Sequence, residues 1–136
     1  MLLVDTNILA YMLIEGDRTQ AVQQLFARDP DWCSEAFVMV EFSNILATCV
    51  RHRTLTQAQG VQLLTDAHML LPTLHNVAHD QAFETAMQFG ISASDARLIT
   101  LARQLKSKLI TEDANLHAAV PAWTLSLADA LALFTR

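Results

Sequence analysis

The first seven residues constrain the fold more strongly than any other stretch of the chain. Three apolar residues, Leu2 to Val4, run directly into Asp5, Thr6 and Asn7, and an apolar helical pattern follows. An uninterrupted apolar run is typical of a central strand in a parallel sheet, which is buried on both faces. Because ligands of open parallel sheets bind beyond the carboxyl ends of the strands, Asp5 lies where chemistry is expected. Capping the following helix is an alternative role for Asp5 or Asn7.

Helical and strand patterns alternate along the rest of the chain. Short strands are predicted at 32–34, 73–77, 109–111 and 122–127, the last at a sheet edge, and helices at 8–14, 18–28, 37–50, 56–70, 79–89 and 128–134. A further helix is predicted to begin at Ser94 as its N-cap, while Gly90 is predicted to end the preceding helix. This alternation predicts an α/β fold whose parallel sheet carries helices on both faces.

Length and composition restrict the class of protein. A chain of 136 residues is expected to form one domain, 1–136. Its residues are 52% hydrophobic and only 17% charged, which suggests that a partner covers some apolar surface. The formal net charge of −5 argues against a large basic nucleic-acid-binding surface. It does not exclude a nuclease, because bound cations reverse the local field of an acidic site.

The compartment is predicted from the N-terminal run and the cysteines. Asp5 and Asn7 interrupt the apolar start of the chain, so we expect no membrane segment. Cys33 and Cys49 form neither a CxxC pair nor a disulfide framework. We therefore expect a cytoplasmic protein with reduced cysteines.

Four carboxylates occupy positions where an acid is unexpected. Asp5 and Asp113 end two apolar strands, whereas Glu41 and Asp95 lie on predicted helices that follow strands or loops. Glu41 is flanked by apolar residues and heads a narrow polar stripe that continues at Asn44. An ionised Glu is costly to bury, so exposure of this stripe to water is one alternative. Complementing the helix dipole is the alternative role of Asp95.

Four segments resemble the PIN-domain family in their order and spacing. They are Leu3–Leu9, Val40–Leu46, Ser94–Ala102 and Leu109–Asp113. The resemblance covers essentially the whole chain. Within this family, the chain resembles the VapC-type toxin ribonucleases. It implies a three-layer α/β/α sandwich around a mainly parallel five-stranded sheet.

The resemblance also implies a metal-binding catalytic quartet and polar residues beside it. The quartet consists of Asp5, Glu41, Asp95 and Asp113. The supporting or substrate-binding set consists of Thr6, Asn7 and Thr111, which match the family, together with Asn44 from the polar stripe and Ser94, which replaces a common aromatic residue. The register of the resemblance favours Asp113 over Glu112 as the ligand.

Clustered carboxylates suit metal-dependent hydrolysis. Acids brought together repel one another, and their hard oxygen ligands suit Mg²⁺ or Mn²⁺. Such ions can activate water for attack on a phosphodiester. The resemblance implies an RNA substrate, a homodimer and a small antitoxin protein that silences the enzyme.

Other function classes receive less support. The chain has three glycines and lacks a P-loop, and its five histidines show no tight ligand spacing. A haloacid-dehalogenase-like phosphohydrolase would need an Asp where this chain has Asn7. The alternative from another class is a catalytically weak or inactive binding subunit of a repressor complex.

Overall fold

Five short parallel strands form the centre of the molecule. The computed structural model describes residues 1–135, and Arg136, the last residue of the predicted domain, lies outside the described residues. The strands are β1 (Leu2–Val4), β2 (Trp32–Glu35), β3 (Thr73–His75), β4 (Leu109–Ile110) and β5 (Thr124–Leu125). Their order in the sheet is β3-β2-β1-β4-β5, and every neighbouring pair is parallel.

Helices connect the strands and enclose the sheet. Within residues 1–135 they are α1 (Thr6–Leu13), α2 (Thr19–Arg28), α3 (Phe37–Arg51), α4 (Gln57–Leu70), α5 (His79–Phe89), α6 (Ala93–Leu105), α7 (Ala114–Ala119) and α8 (Leu127–Leu133). The predicted three-layer α/β/α sandwich is confirmed, and the sheet is parallel throughout. No helix in this part of the chain combines the length and the apolar character that crossing a membrane requires.

β1 is the central strand, as its apolar run predicts. Leu3 and Val4 are fully buried, with Leu3 paired to Cys33 on one side and to Leu109 on the other. The chain builds β2 and β3 on one side of β1, then returns to place β4 and β5 on the other. In such sheets a crevice forms at the carboxyl ends of the two strands where the order reverses. Here that crevice lies beyond β1 and β4.

The helices bury apolar stripes against this sheet. Leu9 of α1, Phe42 of α3 and Leu98 of α6 are each at most 2% exposed and belong to one continuous core. Beside them Phe26 packs edge-on against Trp32, with 5.3 Å between ring centroids. The polar sides of the same helices are therefore left to line the surface or the crevice.

Several predicted elements differ from the structure, and three of these differences have a local cause. Ser94 is not the N-cap of α6, since the Ser92 hydroxyl accepts the hydrogen bond from the Asp95 amide at 3.1 Å and the helix begins at Ala93. The last strand is shorter than predicted because 121–123 form a 3-10 turn and Ser126 already caps α8. α7 was not predicted, because six residues are too short a segment to show a helical period.

Gly90 and Gly60 provide a matched test of backbone conformation. Gly90 ends α5 with a φ of +64°, and an added Cβ would meet nothing within 4 Å. Gly90→Ala is therefore expected to destabilise the fold by roughly 1–2 kcal/mol through backbone strain alone. At Gly60, inside α4, an added Cβ would lie an ordinary 3.6 Å from Val50 Cγ2. Gly60→Ala is expected to stabilise by about 0.4–1 kcal/mol.

Urea denaturation of both variants measures these free energies of unfolding. Opposite signs are expected from the same chemical change. A Gly90→Ala variant at least as stable as the wild type would contradict the assignment of the left-handed conformation to Gly90.

Candidate functional site

The four acids singled out in the sequence line one cavity. This cavity has a volume of about 350 Å³ and lies at the carboxyl edge of the sheet. Its walls are formed by Asp5, Thr6, Asn7, Glu41, Asn44, Ile45, Asp95 and Asp113. The acids arrive from the end of β1, from α3, from the first turn of α6 and from the segment after β4. Residues far apart in the chain are thus brought to the predicted crevice.

Asp5 is the most deeply placed of these acids. Only 7% of the Asp5 surface is exposed to solvent. Oδ1 accepts a hydrogen bond from the Thr6 amide at 2.6 Å, and Oδ2 accepts one from the Thr111 hydroxyl at 2.7 Å. The alternative role of Asp5 as N-cap of α1 is confirmed. Capping does not remove Asp5 from the cavity, because the same bond that begins the helix orients the carboxylate.

A polar network joins the ends of β1 and β4. Asn7 donates its side-chain amide to the Thr111 hydroxyl at 3.1 Å and accepts from the Glu112 amide at 3.2 Å. The Thr111 hydroxyl also accepts from the Asp113 amide at 3.1 Å. Thr111 is fully buried, so these bonds act away from water. The network holds Asp5 and Asp113 at adjacent strand ends.

Glu41 faces the same cavity from α3. The Thr6 hydroxyl donates to Glu41 Oε1 at 2.9 Å, which links α1 to α3. Asn44 and Ile45, one turn further along, also line the cavity. The polar stripe predicted on this helix therefore lines the cavity at Glu41 and Asn44, and Asn44 is also exposed to water.

Burial and mutual repulsion raise the pKa values of three of the acids. The pKa of Asp5 is raised to about 6, mainly by burial and to a smaller extent by the charges of Glu41 and Asp95, although the bonds from Thr111 and Thr6 lower it. Burial also raises the pKa of Glu41, with a smaller contribution from Asp95. The pKa of Asp95 is raised by burial first and then by the charge of Asp113. The cavity therefore concentrates negative charge that is not internally compensated.

The donor chemistry fits a hard divalent cation. Carboxylate and amide oxygens are the ligands that Mg²⁺ and Mn²⁺ prefer. Within residues 1–135, no three acidic, His or Cys side chains converge closely enough to surround one ion. Mg²⁺ commonly retains several waters and binds through one or two carboxylates, so a complete protein cage is not required. The Asp113 carboxylate already caps α7, with Oδ1 accepting from the Asn115 amide at 2.9 Å.

Thr111 is fully buried behind the cavity wall, and two further residues that the sequence placed at or near the site also lie outside that wall. Ser94 lines a neighbouring apolar groove with Phe37 and Phe83. Glu112 is committed elsewhere, since Oε2 pairs with Arg18 at 3.1 Å and Oε1 accepts from the Leu127 amide at 3.1 Å. This geometry leaves Asp113 as the acid of the doublet that reaches the cavity.

Sequence reasoning missed a buried ion pair next to the cavity. Glu35 ends β2 and is fully buried, and its carboxylate pairs with Arg97 of α6 at 2.6 Å. The rule that selected Asp5 and Asp113, an acid at the end of an apolar strand, also selects Glu35. The predicted strand stopped at 34, one residue too early to include it.

Comparison with known proteins yields a family match and similar structures. Residues 2–121 match a family model described as PIN domain. No curated protein sequence matches the chain. The crystal structure of PAE2754 from Pyrobaculum aerophilum is similar with a TM-score of 0.80 at 17% identity, covering 98% of this chain and 94% of that one. A toxin-antitoxin complex from Klebsiella pneumoniae gives a TM-score of 0.68 at 19% identity, covering 93% of this chain and 98% of that one. At these identities, both structures show likeness of fold.

Asp5→Asn is expected to stabilise the metal-free protein at neutral pH. A carboxyl whose pKa rises from 3.8 to about 6 on folding costs at most about 3 kcal/mol once ionised. The cost is absent below pH 3.8, where Asp5 is protonated in both states, and grows as pH rises through the window from 3.8 to 6. Removing the charge should therefore raise the free energy of unfolding most above pH 6.

Urea denaturation in EDTA at pH 4, 6 and 8 tests this pH dependence. We expect a gain of about 1–3 kcal/mol at pH 8 that shrinks towards pH 4, since the amide forfeits part of the hydrogen bonding. A variant less stable than the wild type at pH 8 would show that the carboxylate stabilises the fold instead.

Proposed function

This chain belongs to the PIN domain family, and from that premise we propose that it is a metal-dependent endoribonuclease that hydrolyses RNA phosphodiester bonds. PIN domains are generally nucleases. The observation that carries the proposal is the convergence of Asp5, Glu41, Asp95 and Asp113, from four separate segments, on one cavity. Clustered carboxylates are poorly suited to binding a phosphate unless cations neutralise them. Metal dependence therefore follows from the charge of the cavity.

Asp5 and Asp95 are assigned the principal Mg²⁺ or Mn²⁺ site, which Glu41 helps to form. Asp113 completes this site or serves a weaker second cation position. A bound divalent cation supplies Lewis acidity and lowers the pKa of coordinated water. Thr6 donates to Oε1 of Glu41, which leaves Oε2 as the oxygen that can take a proton from the attacking water. The raised pKa of Glu41 suits a general base. The amide of Asn44 can donate to a phosphate oxygen at the cavity wall.

We further infer that the enzyme is the toxin of a cytoplasmic toxin–antitoxin pair. The Klebsiella pneumoniae structure of similar fold is a toxin-antitoxin complex, which supports this inference. An inhibitory protein could place an Arg against the carboxylates, because a guanidinium pairs well with them and competes with cations. The antitoxin would be a small protein that covers apolar surface.

Exposed apolar side chains support a second copy and an antitoxin as partners. Val40 of α3 is 50% exposed, and Val61 and Met69 of α4 are 59% and 77% exposed. On α5, Phe83 and Met87 are 60% and 64% exposed. Apolar residues concentrated on helix surfaces are typical of protein interfaces. Helices α3, α4 and α5 thus each carry part of this apolar surface.

The alternative proposal is a PIN-fold binding subunit without turnover. One observation favours it: Asp113, an assigned ligand, has one carboxylate oxygen already engaged by two amides at the start of α7. Such a protein would keep the fold and the partner surfaces while holding cations weakly.

RNA cleavage distinguishes the two proposals. Purified, antitoxin-free protein is incubated with total RNA in Mg²⁺, in Mn²⁺ and in EDTA. Discrete fragments are expected with either metal and none with EDTA. Asp5→Asn and Asp95→Asn should each reduce the cleavage rate by roughly 100-fold or more.

Asp129→Asn is the matched control for Asp95→Asn. Each Asp lies in the first turn of a helix, and its amide donates to an N-cap serine at 3.1 Å, but Asp129 belongs to α8 and not to the cavity wall. The control should cleave RNA at the wild-type rate. If the folded wild type cuts no RNA under any condition, the binding-subunit proposal replaces the nuclease.

Self-association is tested by light scattering of the isolated protein. A mass twice that of the chain is expected at micromolar concentration. Replacing Phe83 and Met87 together by Glu should lower this mass if α5 contributes to the dimer, since charged residues are depleted from interface cores. A strictly monomeric wild type would contradict the homodimer.

A further inference from the structure

Glu35 links the two helices that carry Glu41 and Asp95. Its Oε1 accepts a hydrogen bond at 2.9 Å from the amide of Phe37, the first residue of α3. Its Oε2 pairs at 2.6 Å with Nε of Arg97, which lies on α6 two residues after Asp95. One buried carboxylate therefore reaches the start of α3 and the first turns of α6 at the same time.

Arg97 is held in a fixed orientation by further contacts. Its Nη2 donates to the Val77 carbonyl at 3.0 Å, and its Nη1 lies 3.1 Å from Nδ1 of His79. Only 13% of the Arg97 side chain is exposed. A planar guanidinium bonded in three directions has little freedom to turn. The contacts with Val77 and His79 thus orient Arg97, and Arg97 in turn orients the Glu35 carboxylate.

Direct packing sets the relative position of these two helices less firmly. α3 packs mainly on α4 and α1, whereas α6 packs mainly on α5 and β2. Ala36, the N-cap of α3, makes no side-chain capping bond, and Glu35 supplies the bond to the Phe37 amide instead. The Glu35–Arg97 pair therefore links both α3 and α6 to the end of β2 through polar contacts.

Fold stability alone does not require such a pair. Moving two charges out of water is costly, and a well-packed apolar pair of similar volume is often as stable as a buried ion pair or more so. An ion pair differs from an apolar pair in its directionality, which fixes distance and orientation. Those are the properties that a cluster of metal-binding carboxylates needs from the residues behind it.

We propose that Glu35 and Arg97 are positioning residues that set the separation of Glu41 and Asp95 and thereby strengthen divalent-cation binding in the cavity. The inference rests on the proposed metal-dependent function. Neither residue is assigned a contact with the cation or with RNA. Residues that orient metal ligands typically change metal affinity by about 10–100-fold when they are replaced.

The test measures Mn²⁺ affinity by titration calorimetry and stability by thermal denaturation on the full chain. Arg97→Met leaves Glu35 as an unpaired buried charge, so both the melting temperature and the affinity should fall. The double variant Glu35→Gln, Arg97→Met removes both charges and retains a side-chain oxygen for the Phe37 amide. We expect it to regain the melting temperature lost in Arg97→Met, yet to bind Mn²⁺ about 10–100-fold more weakly than the wild type.

Net charge cannot account for the expected loss, because the double variant removes one positive and one negative charge. Arg103→Met is the matched single control. Arg103 lies on the same helix but contacts Gln88 and the ring of Phe89, away from Glu35. Its replacement should change Mn²⁺ affinity by about twofold or less, since exposed charges are screened over roughly 8 Å.

A folded double variant that binds Mn²⁺ as tightly as the wild type would overturn the positioning role. If the wild type binds Mn²⁺ and cuts RNA in that case, the proposed nuclease stands and only this inference fails. If the wild type itself binds no Mn²⁺, the proposed function and this inference are both overturned.

Discussion

The charge of one buried carboxylate is the constraint on which the site depends. Asp5 directly follows the central strand, so the sheet fixes its position in the crevice. Ionising it there costs stability, and Glu41 and Asp95 increase that cost. The fold accepts this cost because the surrounding core is continuous from sheet to helices. A cavity that destabilises its own acids is chemically suited to a ligand of opposite charge.

The hydrogen bonds around Asp5 have two functions at once. The amide of Thr6 begins α1 and the hydroxyl of Thr111 lies at the end of β4, and both donate to the same carboxylate. Thr6 then reaches Glu41 through its hydroxyl. Capping, strand registration and ligand orientation are therefore carried out by one network. The Glu35 carboxylate likewise serves two helices, since it accepts from the Phe37 amide of α3 and pairs with Arg97 of α6.

Most secondary structure could be predicted from local pattern. The apolar run at Leu2 to Val4 predicted the central strand, and the left-handed Gly90 ends α5 as expected. One error arose where two residues offer the same local chemistry. Ser92 and Ser94 can both cap a helix, and in the structure Ser92 is the N-cap of α6. Of the neighbouring acids Glu112 and Asp113, Glu112 is engaged by Arg18 and by α8, which leaves Asp113 to reach the cavity.

The sequence by itself determined the sheet, its central strand and the four acids that meet at its edge. The sheet follows from hydrophobic period, and Asp5 and Asp113 stand out as acids at strand ends, which are local properties. The family resemblance added Glu41 and Asp95 to them. Only the tertiary structure decided how the acids are oriented, that Ser94 lies outside the cavity wall, and that Glu35 meets Arg97. Contacts between residues 62 positions apart leave no periodic trace in the chain, because they depend on how completed helices pack.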